Sequence, residues 1–178
     1  MTLKITLSRR VGNTLQAYPR QFWLLFTGML ISTVGTSMIW PFLMIYVTEK
    51  LNLPLSVATS LNTINSAAMM ISVFVSGQLV DRLGRRWAMI ISLVPNGVVY
   101  FLQGQASSYL GFAIVMGLAG AANPLYRVAA DAMVTDLLPT EKRVGGFSLM
   151  RMSNNLGISI GPAIGGFINS SSYGLAFY

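Results

Sequence analysis

The charged residues of this chain are gathered into a few clusters, and long uncharged segments separate the clusters. Residues 21–48, 51–80, 87–126 and 152–178 contain no Asp, Glu, Lys or Arg. A helix needs about 20 apolar residues to cross the roughly 30 Å hydrocarbon core of a bilayer. Each segment is long enough, so the pattern predicts a chain that crosses the membrane several times.

Turn residues divide the longer segments. Segment 87–126 is too long for one crossing, because its 40 residues would extend about 60 Å as a helix. Gln, Gly and Ser residues at 103–108 indicate a turn within it. We therefore predict an all-α, polytopic transmembrane helix bundle over residues 22–178, preceded by a basic segment at 1–21. Its spans would lie near 22–47, 57–79, 87–104, 109–138 and 145–168, with a sixth that starts at about 174.

Composition excludes several classes of protein. Charged residues make up 10% of the chain, less than half of the roughly 25% typical of soluble domains. The absence of Cys and His excludes thiol catalysis, disulfides, Cys/His zinc sites and a Ser-His-Asp triad. No nucleophile–base pair or phosphate-binding loop stands out, so we expect no enzyme, no cofactor and no metal. The net charge is +7, and the basic residues that produce it lie mostly between apolar segments. This distribution does not indicate nucleic-acid binding.

The basic residues also predict the orientation in the membrane, since cytoplasmic loops are enriched in Lys and Arg. If the N-terminus is cytoplasmic, nine of the basic residues that lie between the spans or before them are on the cytoplasmic side, and only Lys50 is on the opposite side of the membrane. We therefore expect a multi-pass protein of the cell (cytoplasmic or inner) membrane whose N-terminus is cytoplasmic.

The most specific motif lies between the second and third spans and reads G-Q-L-V-D-R-L-G-R-R over residues 77–86. We call this segment the signature loop. Gly77 would let a neighbouring helix approach closely, and Gly84 would permit a tight turn. Asp81 is an anion that suits a helix N-terminus or an Arg, and Arg82, Arg85 and Arg86 surround it. By composition alone, the segment could equally be a positively charged cytoplasmic loop with a turn glycine.

The signature loop closely resembles that of the major facilitator superfamily, which comprises secondary transporters built from two six-helix halves. Residues 35–41, 136–143 and 151–166 resemble further motifs of its 12-span drug/proton antiporter branch. The resemblance covers about residues 20–178 and implies the N-terminal half of such a transporter, with the sixth helix truncated and the C-terminal half missing. It further implies efflux of drug-like or small organic solutes by alternating access, with H⁺ as the coupling ion.

The fifth predicted span carries small residues on one face. Gly157, Gly161 and Gly165 recur every four residues, which is typical of close helix contact, and Pro162 would kink the helix. Together with Gly166, these residues would form a packing face, and the resemblance implies that this face helps to seal the transport pathway. Alternatively, a non-transporting membrane protein would use the same face to assemble with a partner.

Three ionisable residues lie within predicted spans, where charge is costly and is a candidate for function. Arg127 and Asp131 are four residues apart on one helix face, and Arg151 lies at a similar depth on the next helix. We therefore predict that the three residues form a cluster. The alternative to a functional role is that such pairs only hold the helix ends together. One turn nearer the cytoplasm, Asp136 should reach Arg85. The resemblance implies that Asp81, Arg85 and Asp136 form a gate that stabilises the outward-facing state.

Polar and aromatic residues in the spans are candidates for a substrate cavity, with helix–helix hydrogen bonding or lipid-facing packing as the alternative. They are Trp40, Asn62, Asn65, Asn123, Asn154 and Asn155. Ala113 stands where many antiporters have an Arg ahead of Gly117, and residues 22–47 contain no acidic residue. A sugar or metabolite transporter of the same superfamily therefore stays open. The expected partners are the lipid bilayer and a small-molecule solute.

Overall fold

The computed structural model describes residue 14 and residues 16–169. Its helices are α1 (Arg20–Leu51), α2 (Leu55–Leu83), α3 (Arg85–Gln105), α4 (Tyr109–Leu137) and α5 (Thr140–Asn169). The described residues contain no β-strand, which confirms the all-α prediction. The predicted sixth span at about 174 and most of the basic segment 1–21 lie outside the described residues.

Short connections join consecutive helices. Gly84 alone separates α2 from α3 and adopts a φ of 79°, a conformation that residues with a Cβ rarely take. Pro54 immediately precedes α2. The predicted turn at 103–108 falls between α3 and α4, where the Ser108 side chain accepts a hydrogen bond from the Gly111 N–H and caps α4.

Within the described residues, the four helices α1 to α4 are long and apolar enough to cross a membrane. Their outer surfaces expose large apolar side chains, such as Ile31 and Phe74, which suits contact with lipid. The chain is thus a multi-pass membrane protein. Helix α5 has 30 residues, but charged and amide residues interrupt it and it does not reach the same apolarity. Its place as a fifth span stays a prediction.

The helices are paired out of sequence order. The most extensive contacts join α2 to α4 and α1 to α5, followed by those between α3 and α4. Helices α2 and α5 do not touch each other. Helices α1 and α4 contact each other, and each of them also contacts α2 and α5. The α1–α4 pair therefore lies between α2 and α5.

A seam of glycines joins α5 to α1. Gly157, Gly161 and Gly165 are all buried against α1. A Cβ added to Gly161 would lie 2.8 Å from the carbonyl oxygen of Val34, closer than a real Cβ approaches. The Ser37 hydroxyl also donates a 2.8 Å hydrogen bond to the carbonyl oxygen of Gly157. Because the two backbones meet in this way, the face is not available to a partner protein.

An equivalent contact joins α4 to α2. A Cβ at Gly120 would lie 3.0 Å from the carbonyl carbon of Asn65. The Asn65 side chain donates from Nδ2 to the carbonyl oxygen of Met116 at 2.9 Å. Both major helix pairs therefore combine a backbone contact at glycine with a side-chain hydrogen bond to a helix carbonyl.

The other small residues of the predicted packing motifs have more room. Pro162 lies inside α5 and is partly buried, and a Cβ at Gly166 would meet the Phe42 ring at 3.7 Å, an ordinary contact. No described atom lies within 4 Å of a Cβ at Gly77. The close helix approach predicted at Gly77 is therefore not made within the described part of the chain.

Lys50 joins α1 to α3 at the end of the bundle opposite to the signature loop. Its Nζ donates to the carbonyl oxygen of Gly104 at 2.7 Å and to the Tyr46 hydroxyl at 2.7 Å. The Tyr46 hydroxyl donates to the same carbonyl oxygen at 3.1 Å. Carbonyl groups in the last turn of a helix lack intrahelical partners and carry the negative end of its dipole. Lys50 therefore caps α3.

Candidate functional site

The signature loop is held to the end of α4 by an ion pair. Nη1 of Arg85, the first residue of α3, meets Oδ2 of Asp136 near the end of α4. This is the one ion pair found among the described residues. Both side chains are about half exposed, at 43% and 45%, and exposed pairs contribute roughly 0–1 kcal/mol. The pair can therefore fix the loop in place and yet be broken at little cost.

Of the three residues predicted to form a gate, only Arg85 and Asp136 are paired in the described structure. Asp81 is exposed at the end of α2 and joins no ion pair in the described region. Arg82 and Arg86 are likewise exposed and make no described ion pair. Asp81 thus lies at the surface of the described structure, in the same signature loop that the Arg85–Asp136 pair attaches to α4.

The charged residues within the helices lie near one another without forming ion pairs. Arg127, Asp131 and Arg151 are all exposed, and no described salt bridge includes them. Asp131 is nevertheless close enough to both arginines to feel their electrostatic attraction. Contact between α4 and α5 is limited, so the side chains do not close into the tight cluster that the spacing suggested.

A cavity of about 520 Å³ lies next to Arg127, between α1, α3 and α4, with one contribution from α5. Its volume is in the range of small-molecule sites. The apolar part of its wall includes Met29, Ile39 and Leu93. The polar and charged residues that line it are Ser32, Thr33, Thr36, Asn96, Tyr100, Asn123, Tyr126, Arg127 and Asn154.

The predicted cavity residues fall into two groups. Asn123 and Asn154 line the cavity, whereas Trp40 does not. Asn65 is 4% exposed and its side chain donates a hydrogen bond to α4. It therefore serves helix–helix hydrogen bonding, the alternative to a place in the cavity. Asn62 does not line the cavity.

Asn155 lies outside the cavity as well. It lines a second pocket on the exposed face of α5, together with Arg151, Ser148 and Ser159. Residues 148, 152, 155 and 159 share one face of the helix. This face is opposite to the face that carries the glycine seam.

Sequence reasoning missed most of the cavity wall on α1 and α3. Ser32 and Thr36 are four residues apart, as are Asn96 and Tyr100, and each pair forms a polar stripe on one helix face. The spacing was therefore visible. It does not by itself distinguish a cavity from helix–helix hydrogen bonding.

Residues 25–178, most of the chain, match the family model described as Major Facilitator Superfamily. The chain belongs to the Major Facilitator Superfamily. It is 28% identical over 149 residues to the Uncharacterized MFS-type transporter YqjV of Bacillus subtilis, covering 84% of this chain and 36% of that protein. It is 29% identical over 168 residues to Multidrug resistance protein MdtG of Yersinia enterocolitica, with coverages of 89% and 39%.

A third relative is Quinolone resistance protein NorA of Staphylococcus aureus, 22% identical over 159 residues, covering 89% of this chain and 41% of that protein. The chain thus spans less than half the length of these curated relatives and corresponds to the N-terminal part of such transporters. Membership confirms the resemblance carried by the signature loop. The family that the chain matches consists of membrane transporters and not of enzymes.

Proposed function

We propose that this chain forms the N-terminal half of a proton-coupled exporter of drug-like or small organic solutes that works by alternating access. The observation that carries the proposal is the exposure of Arg127, Asp131 and Arg151 on α4 and α5, away from the helix ends and outside any described ion pair. Lipid cannot cover such charges cheaply. A water-filled pathway between two halves of a transporter would solvate them.

The names of two relatives support export of drug-like solutes. MdtG is named for multidrug resistance and NorA for quinolone resistance. The lack of any acidic residue in residues 22–47 favours the second candidate, a sugar or metabolite transporter of the same superfamily. Dependence of solute flux on a proton gradient distinguishes the two candidates.

The signature loop supplies half of a gate in this proposal. With the N-terminus in the cytoplasm, the Arg85–Asp136 pair lies at the cytoplasmic end of the bundle. It fixes the start of α3 and, across Gly84, the end of α2 that carries Asp81. The exposed Asp81 carboxylate would then meet the C-terminal half in the outward-facing state and separate from it when the cytoplasmic side opens.

Asp131 is the candidate proton carrier. It lies six residues before the end of α4, whereas the other acidic residues lie at or next to helix ends. Those residues are Glu49, Asp81, Asp136 and Glu141. Protonation of Asp131 would remove the anion between Arg127 and Arg151 and so bias the balance between the two states.

Flux measurements on the complete native transporter test this proposal. Reconstituted into liposomes with an imposed pH gradient, it should move a quinolone against its concentration gradient and release protons in exchange. We expect Asp131→Asn to lower coupled flux at least about tenfold, in the range for removing a proton-transfer group. Glu49→Gln, the same acid-to-amide change at a helix end, should leave flux unchanged.

Solute movement that ignores the proton gradient would instead support the sugar or metabolite transporter. Full flux in Asp131→Asn would remove this residue from the coupling mechanism.

A further inference from the structure

We propose that the cavity beside Arg127 recognises a carboxylate, so that the transported solute is an organic acid with an apolar body. The inference rests on the proposed function for the direction of transport. Recognition itself concerns binding alone and depends on the residues of the cavity wall.

The charge of the wall is the first argument. Arg127 is the one charged residue among the described residues that line the cavity, and no Asp or Glu lines it. A cation in the wall of a cavity attracts an anion and repels another cation. The wall therefore discriminates between solutes by the sign of their charge.

The nearby carboxylate does not cancel this preference. Asp131 lies one helical turn from Arg127 and within the electrostatic reach of both Arg127 and Arg151. The three side chains together carry a net charge of +1, and of the three only Arg127 lines the cavity. The predicted spans on α1, α2 and α3 contain no other acidic residue.

Hydrogen bonding within the wall leaves both donors and acceptors for a solute. Among the acceptors is the buried Oδ1 of Asn96, which has no hydrogen-bond partner among the described residues, whereas Nδ2 of Asn96 donates to the Ser92 carbonyl oxygen at 2.8 Å. The carbonyl Oδ1 of Asn154 is the partner of the Thr33 hydroxyl at 3.3 Å, so the remaining group of this amide is the donor Nδ2. Tyr100 also contributes a hydroxyl group to the wall. Donors beside a guanidinium suit an anionic oxygen.

The size and the apolar part of the cavity define the rest of the solute. A volume of about 520 Å³ accommodates an aromatic ring system with a carboxylate. Met29, Ile39 and Leu93 offer an apolar surface for the ring, and Met adapts its shape to a bound group.

Binding of three matched probes to the purified complete transporter tests the inference. The probes are 2-naphthoate, the neutral 2-naphthamide and the cationic (2-naphthyl)methylammonium, titrated by calorimetry in detergent without any gradient. We expect naphthoate to bind about tenfold or more tightly than naphthamide, in line with a hydrogen bond to a charged group. The ammonium compound should bind weakest.

Variants locate the preference. Arg127→Gln should remove the preference for naphthoate but keep binding of naphthamide, which also shows that the variant is folded. Arg127→Lys should keep the preference in part, and Arg20→Gln, the same loss of charge at the start of α1, should keep it fully.

Equal affinities for the three probes, tighter binding of the ammonium compound, no binding of naphthoate, or an unchanged preference in Arg127→Gln would overturn the inference. If Arg127→Gln does not fold, the ranking of probes by the unmodified transporter decides. Because no gradient is applied, failure of this assay leaves proton-coupled export untouched. Failure of coupled export equally leaves the charge preference standing.

Discussion

At the scale of single residues, the chain uses its few polar side chains to satisfy helix carbonyl groups. Lys50 caps the last turn of α3, the Ser37 hydroxyl donates a hydrogen bond to a carbonyl oxygen of α5, and the Asn65 amide donates one to a carbonyl oxygen of α4. Each bond joins two helices, and in an apolar surrounding an unpaired polar group would be costly. A polar residue in a predicted span therefore does not by itself indicate a substrate site.

Replacing Lys50 tests this use of a polar side chain. Lys50→Met keeps the length of the side chain but removes both of its hydrogen bonds and the charge at the negative end of α3. We expect a loss of about 1–2 kcal/mol, seen as a lower apparent melting temperature in detergent. Glu49→Gln, at the neighbouring exposed position, should change stability by less than about 0.5 kcal/mol. Equal effects of the two changes would argue against a specific cap.

At the scale of helices, the α1–α5 and α2–α4 pairs meet through glycine. The seam on α5 brings the backbones together where a Cβ at Gly161 would have no room. At Gly97 on α3, by contrast, no described atom lies within 4 Å of an added Cβ. The same substitution should therefore have opposite effects at these two positions.

Gly161→Ala should force α1 and α5 apart and destabilise the protein by about 1–3 kcal/mol, as over-packing does. Gly97→Ala should be neutral or stabilise by up to about 1 kcal/mol, because Ala has the higher helix propensity. Thermal unfolding of both variants in the same detergent measures the difference. A stable Gly161→Ala variant would show that the seam can open without cost.

The helices themselves could be predicted from the sequence, because charge clusters, Gly84 and the turn at 103–108 mark where each one ends. The spacing of Gly157, Gly161 and Gly165 likewise placed them on one face. What that face meets could not be predicted, since periodicity relates residues within a helix and not between helices. For the same reason Asn65 was a candidate for the cavity, whereas Asn96 and Tyr100 were missed.

At the scale of the whole molecule, the arrangement implies a definite topology in the membrane. Short connections place α1 to α4 antiparallel in sequence order, so that the signature loop and the α4–α5 connection share one end. Basic residues concentrate at that end, which favours the cytoplasmic side. Charges on α4 and α5 would then face the pathway shared with the other half.

Cysteine labelling tests the orientation directly, because the chain contains no cysteine of its own. Ser107→Cys, between α3 and α4, should react with a membrane-impermeant maleimide in intact cells. Thr140→Cys, at the start of α5, should react only after the membrane is permeabilised. Both positions are exposed, so access to the reagent and not burial decides the result. The reverse labelling pattern would place the N-terminus outside.

The glycine seam also has a consequence for how such a protein can diversify. The α1–α5 contact depends on backbone atoms and on the absence of side chains, and it fixes the register of the two helices. Asn96, Tyr100 and Asn123 line the cavity from α3 and α4 and take no part in that seam. These three side chains can therefore change while the alignment of α1 with α5 is retained, and in the proposed transporter such changes would alter which solutes the cavity accepts.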